Sequence, residues 1–151
     1  MSNKGVSKMS TSTESSVQTL KFVLRFFGTA SLTALFFVAV PFAWMDTIYA
    51  MVGMGALADQ PVVCYLTRST SALYALLGGL FWVVSFDLQR HLAVVTYLGF
   101  AFCGFGVILL AVDWLEGMPL FWKVWEGPFI IAVGAFILSS TRKIRAGNAK
   151  E

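Results

Sequence analysis

The sequence predicts an all-α integral membrane protein, a bundle of four transmembrane helices with both termini in the cytoplasm. Three observations carry this. Apolar residues make up 58% of the chain and charged residues only 13%, an imbalance a soluble domain of this size could not bury. The excess is arranged in blocks: Phe26–Met45 holds 20 uncharged residues, Pro61–Phe86 holds 26 with Arg68 as the one charge, Leu92–Val112 holds 21 and Gly127–Thr141 holds 15. Such blocks match a hydrocarbon core of ~30 Å at ~1.5 Å of rise per helical residue. Hydrocarbon offers no partner to a free N–H or C=O, so each block must be a helix, because four segments cannot close a barrel.

The opening MSNKGVSKMSTSTESSVQT, residues 1–19, is Ser/Thr-rich with little to bury and reads as a disordered cytoplasmic tail. The membrane domain then covers residues 20–142. Its first helix is expected over about 22–45, with Pro41 near the outer end, and its length marks a retained anchor rather than a cleaved signal. Thr47–Ala58 is uncharged but too short to span, and Gly53 and Gly55 weaken it as a helix. It reads as a short interfacial or re-entrant segment between the first two helices. The second helix is expected over about 62–86, and DLQRH makes a tight turn into the third, about 91–113. A connection that short makes the two antiparallel neighbours. In DWLEGMPLFWKVWEGP, Trp114, Trp122 and Trp125 suit the membrane interface. Pro119 suits the first turn of the fourth helix, about 119–141, which is kinked where Pro128 removes a bond to Val124. Residues 143–151 form a basic tail.

Nine of the eleven basic residues flank the ends expected in the cytoplasm: Lys4, Lys8, Lys21 and Arg25, Arg90, and Arg142, Lys143, Arg145 and Lys150. The other side carries Asp46, Asp59, Asp113, Glu116 and Glu126 against Lys123. The Lys/Arg excess of retained loops predicts an inner-membrane, multi-pass protein with both ends inside. The net charge of +3 is thus a topology signal. The bases form no single patch, so nucleic acid is not an expected partner. The lipid bilayer is, together with other membrane subunits or further copies of the chain.

Much chemistry is excluded. His91 is the lone histidine, so bis-imidazole haem ligation is impossible, and no Cys/His cluster offers a metal site. Cys64 and Cys103 lie at depths differing by ~10 Å of helical rise, beyond disulfide reach. C-x-x-C, H-E-x-x-H and G-x-S-x-G are absent. No cofactor and no metal are expected, and no catalytic residue is nominated. Gly99, Gly104 and Gly106 read as helix-packing points, as do Ala30 with Ala34 and Ala75 with Gly79.

YLTRSTSALYALLGG and the later D-W-L-E-G-M-P are similar to small bacterial four-helix inner-membrane proteins of the DoxX-like kind. The resemblance covers most of the apolar region and rests on helix count, the short cytoplasmic turn and an arginine in the second helix. It implies an accessory role or a link to quinone-dependent redox complexes, and assigns no residue a role.

Arg68 is the one place where function could sit. On a helical wheel Leu66, Leu73, Leu77, Leu80 and Val84 share one sector, and Tyr65, Arg68, Ser69, Ala72, Ala75 and Gly79 lie opposite. The leucines suit lipid, so Arg68 is expected to face the bundle. A charge at that depth costs about 3 kcal/mol on insertion scales and calls for a partner. The expected polar cluster is Arg68 with Asp113 first and Glu126 second, supported by Tyr65 and Ser69. Two functions compete: a non-enzymatic accessory or scaffold subunit with Arg68 as an internal tie, and a lipid-, quinone- or small-molecule-binding protein or transporter with a polar pocket around Arg68.

Overall fold

The computed structural model describes residues 3–53, 55–56 and 59–149, with side chains from Glu14 onward. Six helices follow one another: α1 (Asn3–Leu32), α2 (Leu35–Ala39), α3 (Phe42–Met51), α4 (Pro61–Phe86), α5 (Leu92–Leu115) and α6 (Leu120–Asn148). Four stretches are long and apolar enough to cross a membrane: Glu14–Ala39, Pro61–Phe86, Leu92–Leu115 and Leu120–Asn148. Large apolar side chains stand on their outer surfaces, among them Leu73 at 66% exposure and Leu115 at 83%. Such faces suit hydrocarbon better than water.

The chain divides into two compact units, Val23–Ser85 and Met1–Phe22 with Phe86–Glu151. In the first, the end of α1 runs antiparallel to α4, with no room between them at one point. A methyl group added at Gly78 would lie 2.6 Å from the carbonyl oxygen of Gly28 and 2.9 Å from the nitrogen of Leu32. Beyond Leu32 the helix loosens through i→i+3 bonds, Phe36 N–H to Thr33 O at 3.0 Å and Phe37 N–H to Ala34 O at 3.0 Å. It stops at Val40, which is extended at φ −65°, ψ 139°. The cause is Pro41, whose ring drives the preceding residue out of the α region.

The single first helix expected over 22–45 is therefore broken, and residues 42–45 belong to α3. The Thr47–Ala58 segment continues α3 to Met51, then turns through Gly53 and Gly55 at φ 78° and 81°. Positions 54, 57 and 58 within it lie outside the described residues. At the other end, α1 begins at Asn3, within the 1–19 segment that composition assigns to a disordered tail. Residues 1 and 2 of that tail, and 150 and 151 of the basic one, also lie outside the described residues.

In the second unit α5 and α6 form a tight antiparallel hairpin. Gly99 and Gly106 on α5 face Gly134 and Gly127 on α6, each pair seven residues apart and so on one helix face. A methyl group at Gly134 would meet Cys103 N and Gly99 O, each at 2.8 Å. Gly104 faces open space, as does Gly79 on α4. The packing glycine of α4 is Gly78, not the Gly79 expected, because the α1 backbone approaches one residue earlier. Pro128 lies inside α6, and Pro119 caps it, accepting from Trp122 N–H at 3.0 Å. The turn before α5 is organised by Asp87: its carboxylate accepts from Arg90 N–H at 3.1 Å and its carbonyl from His91 Nδ1–H at 2.8 Å. His91 thus serves the start of α5.

Candidate functional site

Arg68 lies on α4 seven residues before the buried Ala75, on the same stripe as the face that packs on α1. At its level α1 has given way to the Pro41 elbow, so the side chain is exposed rather than enclosed. There its Nη2 donates to the carbonyl oxygen of Val40 at 3.4 Å.

The local backbone explains why that oxygen is free. In a continuous helix Val40 O would accept from Trp44 N–H, but Trp44 N–H bonds Pro41 O at 3.1 Å and Met45 N–H does so at 3.4 Å. With Val40 extended, its carbonyl leaves the ladder at the C-terminal, negative end of α2. A guanidinium is suited to that position by charge and by donor. The sequence reading missed Val40 because it sought a charged partner. The signal was present as the Val40–Pro41 dipeptide, which predicts an orphaned carbonyl at the residue before proline.

Tyr65 and Ser69 are exposed, and Ser69 Oγ donates to its own helix, to Tyr65 O at 2.8 Å and Leu66 O at 3.2 Å. Tyr65, Arg68 and Ser69 belong to the first unit, Asp113 and Glu126 to the second. Asp113, near the end of α5, is only 4% exposed, and its Oδ2 has no hydrogen-bond partner among the described residues. Glu126, half-buried on α6, lies near Trp122 and near enough to Asp113 for the two carboxylates to repel. Lys123 stands instead over the Trp114 ring, 4.6 Å from its centroid, a cation–π contact. Gly117, at φ 67°, closes the turn, and Met118 N–H bonds Asp113 O at 3.0 Å.

At the far end of the first hairpin Arg25 donates to the fully buried Ser85 Oγ at 3.2 Å and lies 5.3 Å from the centroid of the Trp82 ring. Trp82 Nε1–H in turn reaches Thr29 Oγ1 at 3.3 Å. Arg25, one of the bases expected at the cytoplasmic ends, is therefore joined to α4. In the second unit Arg145 donates to Thr96 Oγ1 at 3.2 Å. Cys64 and Cys103 are free thiols, and Cys103 Sγ–H donates to Ile131 O at 3.8 Å. Among the described residues no three His, Cys, Asp or Glu side chains stand together as metal ligands.

Comparison with protein families, characterised proteins and solved structures finds no match for this chain.

Proposed function

We propose that this protein is a non-enzymatic accessory or scaffold subunit of a membrane assembly, with Arg68 as an internal structural tie. The observation that carries the reading is the Arg68–Val40 hydrogen bond. The one charge in the apolar run of α4 serves the backbone of a broken neighbouring helix, a structural use of an intramembrane arginine. The close-packed glycine contacts of α5 and α6 support it, since they leave little space between those helices for a substrate. The resemblance to DoxX-like proteins implies either an accessory role or a link to quinone-dependent redox complexes. Gentle solubilisation should yield the chain in fixed stoichiometry with a different membrane protein, read by native mass spectrometry. A particle made only of this chain would overturn the accessory role.

The proposed setting is the inner membrane, with both ends cytoplasmic. Reporter fusions after Ser10, Ala56, Gln89, Met118 and Ala149 should read in, out, in, out, in, and an exported carboxy terminus would overturn this topology.

A second reading is the polar cluster expected from the sequence, since Asp113 Oδ2 has no hydrogen-bond partner among the described residues. A buried polar atom without a partner costs about 1–3 kcal/mol, and more when charged. Arg68 is the base the sequence nominates for it. If the pair forms, Asp113→Asn in an Arg68→Ala background should restore part of the stability lost by Arg68→Ala alone. Additive losses would remove the pairing and leave Val40 as the partner of Arg68.

A further inference from the structure

Beside the Arg68–Val40 bond the chain leaves an open hollow of about 300 Å³ lined by Phe36, Ala39, Val40, Pro41 and Trp44. A second hollow of about 270 Å³, which shares Trp44 with it, is lined on α3 by Trp44, Thr47, Ile48 and Met51. Both are mostly apolar, and all of their lining residues belong to the Val23–Ser85 unit. We infer that this groove holds a membrane phospholipid with an anionic headgroup, its phosphate on Arg68 and an acyl chain along Phe36 and Trp44.

Charge and donor geometry select the headgroup. Arg68 makes one hydrogen bond among the described residues, through Nη2, to one of the groove's own lining residues. Its guanidinium therefore stands at the edge of the hollow, with the rest of its planar N–H fork suited to phosphate oxygens. Depth agrees. α4 has 26 residues, or ~39 Å of helix against a ~30 Å core, so each end overhangs by ~4–5 Å. Arg68 lies ~10 Å from the start of α4, placing its Cα ~6 Å inside the hydrocarbon. Side chains tilt toward the N-terminus of their helix, so the guanidinium reaches the edge of the hydrocarbon, against the headgroup layer. Phe36 and Trp44, exposed at 56% and 60%, offer aromatic walls to the hollow.

The inference rests on the placement of Arg68 at the elbow and is independent of the accessory role, which is read from assembly composition. The test uses the full chain in detergent with phosphatidylglycerol, phosphatidylcholine of the same chains, or inorganic phosphate. Native mass spectrometry should show phosphatidylglycerol retained in preference to phosphatidylcholine. Arg68→Leu should weaken its binding about tenfold, the loss expected for one charge-assisted hydrogen bond. Because that variant also weakens the fold, a second readout leaves Arg68 in place. Phosphatidylglycerol brominated on its chains should quench the part of the fluorescence that Trp44→Phe removes. Equal binding of the two lipids, or quenching that spares Trp44, overturns the proposal. So does displacement of the lipid by inorganic phosphate alone, which would make the site one for free anions.

Discussion

Replacing Gly134 or Gly78 with alanine should destabilise the protein by about 3 kcal/mol, at the upper end of what overpacking costs. A single methyl group at Gly134 would press on the α5 backbone at Cys103 N and Gly99 O, and one at Gly78 on Gly28 O and Leu32 N. Backbone cannot rotate away as a side chain can, so the helices must separate. Separation loses the close van der Waals packing on which helix association rests in hydrocarbon, where no hydrophobic drive brings the helices back together. The matched controls are Gly79→Ala and Gly104→Ala, where nothing lies within 4 Å of the added carbon. These should stabilise by about 0.5–1 kcal/mol, because alanine is the better helix former. The measurement is the unfolding midpoint in mixed micelles of rising denaturing-detergent content. If Gly78→Ala and Gly79→Ala behave alike, the α1–α4 register described above is wrong.

Arg68→Leu should lose about 2–3 kcal/mol in the same assay, the range for a hydrogen bond to a charged group plus an orphaned carbonyl. Relief of the insertion cost offsets little of this, because the arginine sits in the bilayer in both the folded and the dissociated state. Pro41 supplies the decisive control. In Pro41→Ala the helix can run on, Trp44 N–H can return to Val40 O, and the carbonyl no longer depends on Arg68. Arg68→Leu should therefore cost about 1–2 kcal/mol less in the Pro41→Ala background, a coupling that a double-mutant cycle isolates. Additive effects of the two substitutions would show that the guanidinium does not serve this break. Arg68→Lys should fall between, since an ammonium keeps the charge and reaches one oxygen but lacks the planar fork.

Four apolar stretches of spanning length were legible in the chain because hydrocarbon demands length and apolarity over a contiguous run, and both are local properties. The same holds for the α6 N-terminus at Pro119 and for the proline inside that helix, since missing donors act where they stand. The elbow is half legible: Pro41 stands near the expected helix end, but a proline there does not by itself say whether the helix bends or stops. Tertiary structure decided the rest. Which glycines pack depends on where a second backbone passes, so Gly99 and Gly106 make contact while Gly104, at a different angle on the same helix, meets nothing. Ser69 turned to its own helix backbone, which lies within its reach before any other group. Asp113 was placed at the end of α5 by the sequence, yet its burial, and an Oδ2 without a hydrogen-bond partner among the described residues, follow from packing that no local pattern encodes. Among the described residues Arg68 donates to a carbonyl from a segment 28 residues away. A sequence displays charges but not which backbone groups a fold leaves unpaired, and this arginine answers to one of those.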